Sequence, residues 1–185
     1  MSWRGLISAR STAIASVRID VEKLVRREGP ALLDYFGRRV TNTDDAADLV
    51  GDTLVVVWRR RASVPANETE ARMWLYGVAR KVLGTHRRGA GRRKDLAERL
   101  RLELVATPTS PSRAETTIQE HVRQLIGDLD EIDREIIGLV YWEGFALVEV
   151  AQILSMRPGT VRSRHARARA ELRSALLETA DVEGI

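Results

Sequence analysis

The residues best suited to binding chemistry are arginines that cluster near the carboxyl end of the chain. Six arginines lie between Arg157 and Arg173, where the only acid is Glu171. A guanidinium can bond two acceptors of a guanine edge at once, and it can also neutralise a phosphate. This chemistry suits a polyanionic partner, although a row of arginines alone is more typical of an ordinary solvated amphipathic helix.

The spacing of the residues before these arginines favours DNA binding over a solvated helix. A helix-turn-helix requires a small residue where its helices cross, a tight turn about four residues later, and an apolar residue early in the second helix. Ala151, Ser155 and Val161 stand at those offsets, and Pro158 suits the first turn of the second helix. Glycine is commoner than serine at the turn. The apolar packing of the first helix is assigned to Val148, Val150, Ile153 and Leu154.

Helical periodicity divides the second helix into an inner and an outer face. Residues at positions i, i+4, i+7 and i+11 share a face and are predicted to point inward. They are Val161, His165, Ala168 and Leu172. The outer face is left with Arg162, Ser163, Ala166, Arg167 and Arg169. We interpret His165 as a packed histidine, not a catalytic or metal-binding one, because no carboxylate or second histidine sits at ligand spacing.

The rest of the sequence predicts an all-α fold of two small helical domains, the second a helix-turn-helix domain. Apolar residues recur at helical spacing, and no stretch alternates as a half-buried strand would. Residues 104–117 hold two prolines and many small polar residues, a composition typical of a flexible linker. This linker separates a domain over residues 18–103 from one over residues 118–185. A loose leader is predicted over residues 1–17.

Local signals predict the helices of the first domain. Residues 19–27 and 31–40 are expected to form two separate helices because Pro30 interrupts the pattern. Thr43 is the predicted N-cap of the next helix, and a long helix is predicted from Glu68 to about His86. The apolar face of the helix that follows Thr43 is predicted to comprise Ala47, Val50, Leu54, Val57 and Trp58.

Charge is segregated along the chain, although the net charge is only +4. Residues 42–58 contain four acids and no bases, whereas residues 72–101 contain ten bases and two acids. The six arginines from Arg157 to Arg173 form a second basic segment. Because the two basic segments fall in different predicted domains, a polyanion long enough to touch both domains is the expected partner.

The composition also excludes several classes of protein. Cysteine is absent, which excludes disulfides, cysteine-ligated zinc, iron–sulfur clusters and thiol catalysis. The longest apolar run, Leu54 to Trp58, is far shorter than the roughly 20 residues that span a bilayer. No acid–histidine constellation, P-loop or nucleophile elbow is present, so we expect no enzymatic activity, no cofactor and no metal. A cytoplasmic protein without membrane insertion is predicted.

Three stretches resemble motifs of bacterial sigma factors of the extracytoplasmic-function group, the compact two-domain members of the sigma-70 family. Residues 44–60 resemble the helix of that family that binds core RNA polymerase. Residues 74–88 are similar to its region for −10 recognition and melting, and residues 159–169 are close to its −35 reading helix. The resemblance covers about residues 21–178 and includes independent motifs in the order of the family.

The resemblance implies three sets of functional residues. The core-polymerase-binding set comprises Asp48, Asp52, Leu54 and Trp58. The −10 set comprises Asn67, Trp74, Arg80, Lys81, Arg87 and Arg88. The −35 set comprises Thr160, Arg162, Ser163, Arg164, Ala166 and Arg167, of which Thr160 and Arg164 would touch the DNA backbone while the others face bases. For Trp74, a simple core position is favoured over a contact with DNA.

Several residues depart from the family pattern. Gly51 stands where the family has glutamine, and glycine costs about 1 kcal/mol of helix propensity. Lys81 and Thr85 replace an asparagine and an aspartate, so the −10 base preference of the family does not carry over. His165 replaces an aliphatic residue and Asp130 replaces a proline, which predicts an unusual −35 sequence.

The function implied is that of a dissociable initiation factor without catalysis of its own. It would direct core RNA polymerase to promoters with −35 and −10 elements and nucleate strand opening, and it would be a monomer when free. Whether an anti-sigma factor binds is left open, although the group commonly has one. A homodimeric helix-turn-helix repressor or activator is the main alternative, but it leaves the acidic helix and the basic segment of residues 72–101 unexplained. A helical nuclease or hydrolase is the third class.

Overall fold

The computed structural model describes residues 21–103 and 118–183. Within these ranges the chain forms helices and turns without strands, which confirms the predicted all-α class. The leader predicted over residues 1–17 and the linker predicted over residues 104–117 lie outside the described residues. The α-helices of the described residues are α1 (Val21–Gly37), α2 (Thr43–Arg59), α3 (Glu68–Glu103), α4 (Ile118–Asp128), α5 (Glu131–Tyr141), α6 (Leu147–Ile153) and α7 (Pro158–Glu183).

The chain divides into two compact units, and the division falls between Leu83 and Gly84, inside α3. The domain boundaries predicted from the sequence stay predictions. The helix α3 is longer than expected, since it continues past His86 to Glu103. Residues 87–103 are dominated by arginine, lysine, leucine, alanine and glutamate, which are all strong helix formers. None of the helices in the two described ranges combines the length and the apolar character that a bilayer crossing requires.

The predicted interruption at Pro30 is wrong, because α1 runs through this residue without a break. A proline inside a helix costs about 3 kcal/mol. However, Leu24, Leu32 and Phe36 lie on one stripe that spans both sides of the proline, and all three are buried. Each buried side chain of this size contributes about 1.5–3 kcal/mol, so packing on α2 outweighs the penalty and keeps the helix continuous.

The predicted N-cap and apolar face of α2 both require correction. Asn42, not Thr43, is the N-cap, because its Oδ1 accepts a hydrogen bond from Asp44 N at 3.0 Å. Two residues assigned to the apolar face, Ala47 and Trp58, are exposed. Of the predicted face, Val57 is buried and Val50 and Leu54 are half-buried, and the helix also buries Ala46, Leu49 and Thr53. The hydroxyl of Thr53 is satisfied by donating to the carbonyl oxygen of Leu49 at 2.7 Å, which lets a polar residue occupy the buried face.

The core of the first unit joins aromatic packing to a buried ion pair. The ring of Tyr35 packs edge to face against Phe36 and Tyr76, with centroid distances of 5.2 and 5.5 Å. The buried carboxylate of Glu28 accepts a hydrogen bond from Arg72 Nε at 3.0 Å. A buried carboxylate requires such a partner. Arg72, the first base of the segment over residues 72–101, is therefore used to fasten α3 to α1.

The second unit is held together by apolar packing and by capped helix ends. Arg134 of α5 donates to the carbonyl oxygens of Gly127 and, at 2.9 Å, Leu129, which fastens the end of α4 to α5. Asp130 caps α5, since its Oδ1 accepts from Ile132 N at 3.0 Å. At the position where the family has proline, Asp130 thus supplies a side-chain cap for α5. The largest fully buried side chains of α5, α6 and α7 are Ile136, Leu139, Val150 and Val161.

Candidate functional site

The turn between α6 and α7 has the geometry that the sequence predicts for a helix-turn-helix. Ala151 and Val161 are buried where the two helices cross. Ser155 has a φ of +54°, and its N–H donates to the Gln152 carbonyl at 3.0 Å, while Met156 N–H donates to the Ala151 carbonyl at 2.8 Å. This pair of bonds ends α6 in a Schellman motif, whose left-handed residue is usually glycine. The helix-turn-helix assignment is confirmed.

The two predicted faces of α7 are also present. Val161 and Ala168 are fully buried, and His165 and Leu172 are half-buried. One residue of α6 differs from expectation, since Val148 is 54% exposed. The buried positions of α6 centre on the opposite side of the helix from Val148. The residues of the −35 set that are exposed are Thr160, Arg162, Ser163, Ala166 and Arg167.

The arginines of α7 are not equivalent. Arg162 is exposed and makes no ion pair within the part of the chain that the structure describes. Arg164 Nε donates to Asp133 Oδ1 at 2.6 Å, and its Nη2 contacts Asp130. Arg167 Nη2 lies 3.4 Å from Asp133 Oδ2. As far as the described residues go, Arg162 is therefore available to a ligand, whereas Arg164 already has protein partners.

His165 lies on the inner face of α7 in an apolar environment. Its ring stacks on Tyr141 with centroids 5.8 Å apart, and its buried Nε2 has no hydrogen-bond partner among the residues that the structure describes. Burial, and secondarily the nearby charge of Arg169, lowers the pKa of His165 below its usual value. Among the residues the structure describes, no group of three histidines and acids is arranged to hold a metal.

In the first unit, the −10 set lies along the start of α3. Asn67 Oδ1 accepts from Glu70 N at 3.1 Å, so this side chain caps the helix. Trp74 and Lys81 are seven residues apart and share a face, and Trp74 is half-buried rather than part of the buried core. Arg80 is also half-buried, but it lies about a third of a turn around the helix from Trp74. This face therefore presents an aromatic ring and a cation together.

Arg87 and Arg88 follow on the part of α3 that belongs to the second unit. Arg87 Nη1 lies 2.6 Å from Glu131 Oε1, whose side chain is 70% exposed. Arg88 is exposed and donates to Thr85 Oγ1 at 3.0 Å. Exposed pairs of this kind contribute about 0–1 kcal/mol, so either arginine can exchange its partner for a phosphate at little cost.

The core-polymerase-binding set lies on the outer side of α2. Asp48 and Asp52 are exposed and one helical turn apart. Trp58 is 55% exposed, and Leu54 is half-buried. Acids and an exposed aromatic side chain thus share the surface of one helix, a combination suited to a protein partner.

The structure adds apolar residues that the sequence reasoning missed. Val55 is 48% exposed between the acids and Trp58. Leu54, Val55 and Trp58 line a groove of about 360 Å³ together with Val21 and Val25 of α1. A sequence feature that could have revealed these residues is the apolar run from Leu54 to Trp58, which is longer than one buried face of a helix requires.

Two protein-family models match the chain. The model of Sigma-70 region 2 matches residues 24–93, and the model of Sigma-70, region 4 matches residues 125–174. A relative, the RNA polymerase sigma factor NccH of Alcaligenes xylosoxydans, is 30% identical over 168 residues, which cover 86% of this chain and 88% of the relative. The chain belongs to the sigma-70 family.

Two further similarities place this sigma factor more closely. SigL of Mycobacterium tuberculosis, an ECF RNA polymerase sigma factor, is 28% identical over 163 residues, covering 84% of this chain and 89% of SigL. The structure of CnrH in complex with the cytosolic domain of CnrY is 28% identical, with a TM-score of 0.59 and coverage of 86% of this chain and 88% of that chain. The protein is a member of the extracytoplasmic-function group, which directs core RNA polymerase to −35 and −10 promoter elements. These matches do not favour a homodimeric repressor or activator.

The sigma factor has a larger apolar groove in its second unit, which the sequence did not predict. The groove has a volume of about 900 Å³ and lies between α7 and the helices α4 and α5. Arg169 and Arg173 flank it. Its exposed apolar side chains are Tyr141, Trp142, Leu176 and Leu177. These residues are distant in the sequence and are brought together only by the fold.

Proposed function

We propose that this sigma factor reads the −35 element with the outer face of α7. The observation that carries this assignment is the exposed group of Arg162, Ser163, Ala166 and Arg167, directly after the turn at Ser155. A helix presented in this way fits the major groove, where an arginine can bond both acceptors of a guanine. Thr160, in the first turn of α7, is proposed to contact the backbone.

The −10 element is assigned to α3. Trp74 and Lys81 on one face support stacking on an unpaired base and neutralisation of its phosphate, and base stacking contributes about 1–3 kcal/mol per base. Arg87 and Arg88 are suited to phosphates because their present partners are weakly held. The proposed −10 set also includes Asn67, which caps the start of α3, and Arg80 within α3.

Core RNA polymerase is proposed to dock on the outer side of α2. Trp58 and Val55 offer an apolar anchor, Leu54 lines the groove beneath them, and Asp48 and Asp52 supply charge. Protein interfaces concentrate their binding energy in such aromatic anchors with polar neighbours. We place this action in the cytoplasm, with no catalytic step contributed by the sigma factor itself.

An anti-sigma factor is proposed as a further partner. CnrH is captured with the cytosolic domain of CnrY. In this chain, the groove of the second unit exposes Trp142 and Leu177, whose contact with solvent is unfavourable. The flanking Arg169 and Arg173 favour a partner with acidic residues beside an apolar face.

Run-off transcription with core RNA polymerase on a library of genomic promoters tests the proposed function. Full-length protein should produce defined transcripts whose upstream sequences share two spaced elements, and omission of the sigma factor should remove them. Sedimentation without polymerase should give a monomer. Promoter binding by a homodimer in the absence of core polymerase would instead support the repressor or activator alternative.

A further inference from the structure

A buried carboxylate stands directly behind the outer face of α7. Asp133 lies in the first turn of α5 and is only 4% exposed. Its two oxygens bond different arginines of α7, since Oδ1 accepts from Arg164 Nε at 2.6 Å and Oδ2 faces Arg167 Nη2 at 3.4 Å. The position near the start of a helix stabilises the negative charge of the carboxylate.

Arg164 is held in ion pairs with acids of the same unit. Its side chain is 25% exposed and contacts Asp130 as well as Asp133. To reach a phosphate, Arg164 would have to abandon a buried carboxylate, which is unfavourable because Asp133 would then keep only its longer, 3.4 Å contact with Arg167. The geometry thus argues against the backbone contact that the family resemblance implies for Arg164.

Arg167 is restrained but accessible. Its side chain is 63% exposed, and the 3.4 Å contact with Asp133 uses one of the five N–H donors of its guanidinium. The remaining donors are available to a base edge. A guanidinium that is anchored at one end loses less conformational freedom on binding than an unrestrained one.

We propose that Asp133 is a positioning residue for −35 recognition. It holds Arg164 on the protein as a structural clamp between α5 and α7, and it orients the guanidinium of Arg167 for contact with a base. This inference rests on the proposed function, in which α7 reads the −35 element.

The test uses holoenzyme on the strongest promoter obtained from run-off selection, together with its single-base −35 variants. Asp133→Asn keeps the side-chain shape and removes the charge. It should lower discrimination between the original and variant −35 elements by roughly tenfold, the range of one bidentate base contact. It should also steepen the salt dependence of log affinity by about 0.9, because the released Arg164 gains a phosphate. Asp128→Asn, which removes an exposed acid of the same unit, should change neither quantity.

A double variant separates positioning from general damage. If Asp133 acts through Arg167, then Asp133→Asn should not reduce −35 discrimination further in an Arg167→Ala background. Undiminished discrimination by Asp133→Asn alone, or an equal additional loss in the double variant, would overturn the proposal. If wild-type holoenzyme shows no −35 discrimination at all, it is the proposed function of α7 that fails.

Arg164→Ala provides a measurement that does not depend on the folding of the Asp133 variant. The proposal predicts a lower melting temperature for the full chain with an unchanged salt dependence of promoter binding. A salt dependence that flattens by about 0.9 would show that Arg164 contacts a phosphate, and the clamp assignment would be wrong.

Discussion

Ser155 holds the turn between α6 and α7 in a left-handed conformation, with a φ of +54°. A residue with a Cβ atom pays about 1 kcal/mol or more in this conformation, whereas glycine does not. We therefore expect Ser155→Gly to raise the free energy of unfolding by about 0.5–1 kcal/mol. The same replacement at Ser163, in the regular helix α7, should instead lower it by about 0.5 kcal/mol. Urea unfolding of the two variants checks this opposition of sign, and a loss of stability at position 155 would contradict it.

His165 gives the second unit a dependence on pH. Burial lowers the pKa of His165 in the folded state, whereas the unfolded chain takes up a proton near pH 6.5. The unfolded state therefore binds more protons once the pH falls below about 6.5, and the free energy of unfolding decreases from there toward acidic pH. His165→Leu should remove this contribution. Urea midpoints at pH 7.5 and pH 5.5 should differ less for the variant than for the wild type, and an equal difference would contradict the prediction.

Among the elements, α2 combines exposed acids with exposed apolar side chains. Asp52 is exposed and lies on the same side of the helix as Val55. Asp52→Arg should reduce holoenzyme formation at least tenfold and leave the helical content unchanged, because the replaced side chain is not part of the buried core. Asp34→Arg, at an exposed acid of α1, is the matched control and should bind normally. Cosedimentation with core polymerase and circular dichroism make the comparison, and normal binding by Asp52→Arg would remove α2 from the interface.

The elements also show what the sequence can and cannot predict. The helix-turn-helix was predictable because Ala151, Ser155 and Val161 obey a local spacing rule that steric contact enforces. The continuity of α1 through Pro30 was not predictable from local rules, because it depends on burial energy summed over contacts with another helix. The pairing of Asp133 with Arg164 joins residues 31 positions apart and has no local signature. Local rules thus predict elements and their surfaces, whereas buried ion pairs require the assembled fold.

For the whole molecule, the arrangement of charge predicts two kinds of DNA contact. Arg162 is exposed on α7, where it can select a base. Arg87 and Arg88 lie on α3 with weakly held partners, and phosphates are the acceptors they are suited to. Base contacts specify sequence, whereas phosphate contacts supply affinity. Loss of a base contact should therefore change promoter preference, and loss of a phosphate contact should change affinity for all promoters.

Arg162→Ala should therefore cost roughly 1–3 kcal/mol at the base pair it reads, and it should relax −35 preference mainly there. Replacement of both Arg87 and Arg88 by alanine should weaken all promoters alike, and each phosphate that is no longer neutralised should flatten the salt dependence of log affinity by about 0.7–0.9. The protein fold should tolerate both changes, since the side chains that are removed are not part of a buried core. Affinities of −35 and −10 promoter variants, measured across a salt series, separate the two effects. If Arg162→Ala lowers every promoter equally and keeps −35 selectivity, then α7 contributes only phosphate contacts, and the −35 element must be read elsewhere.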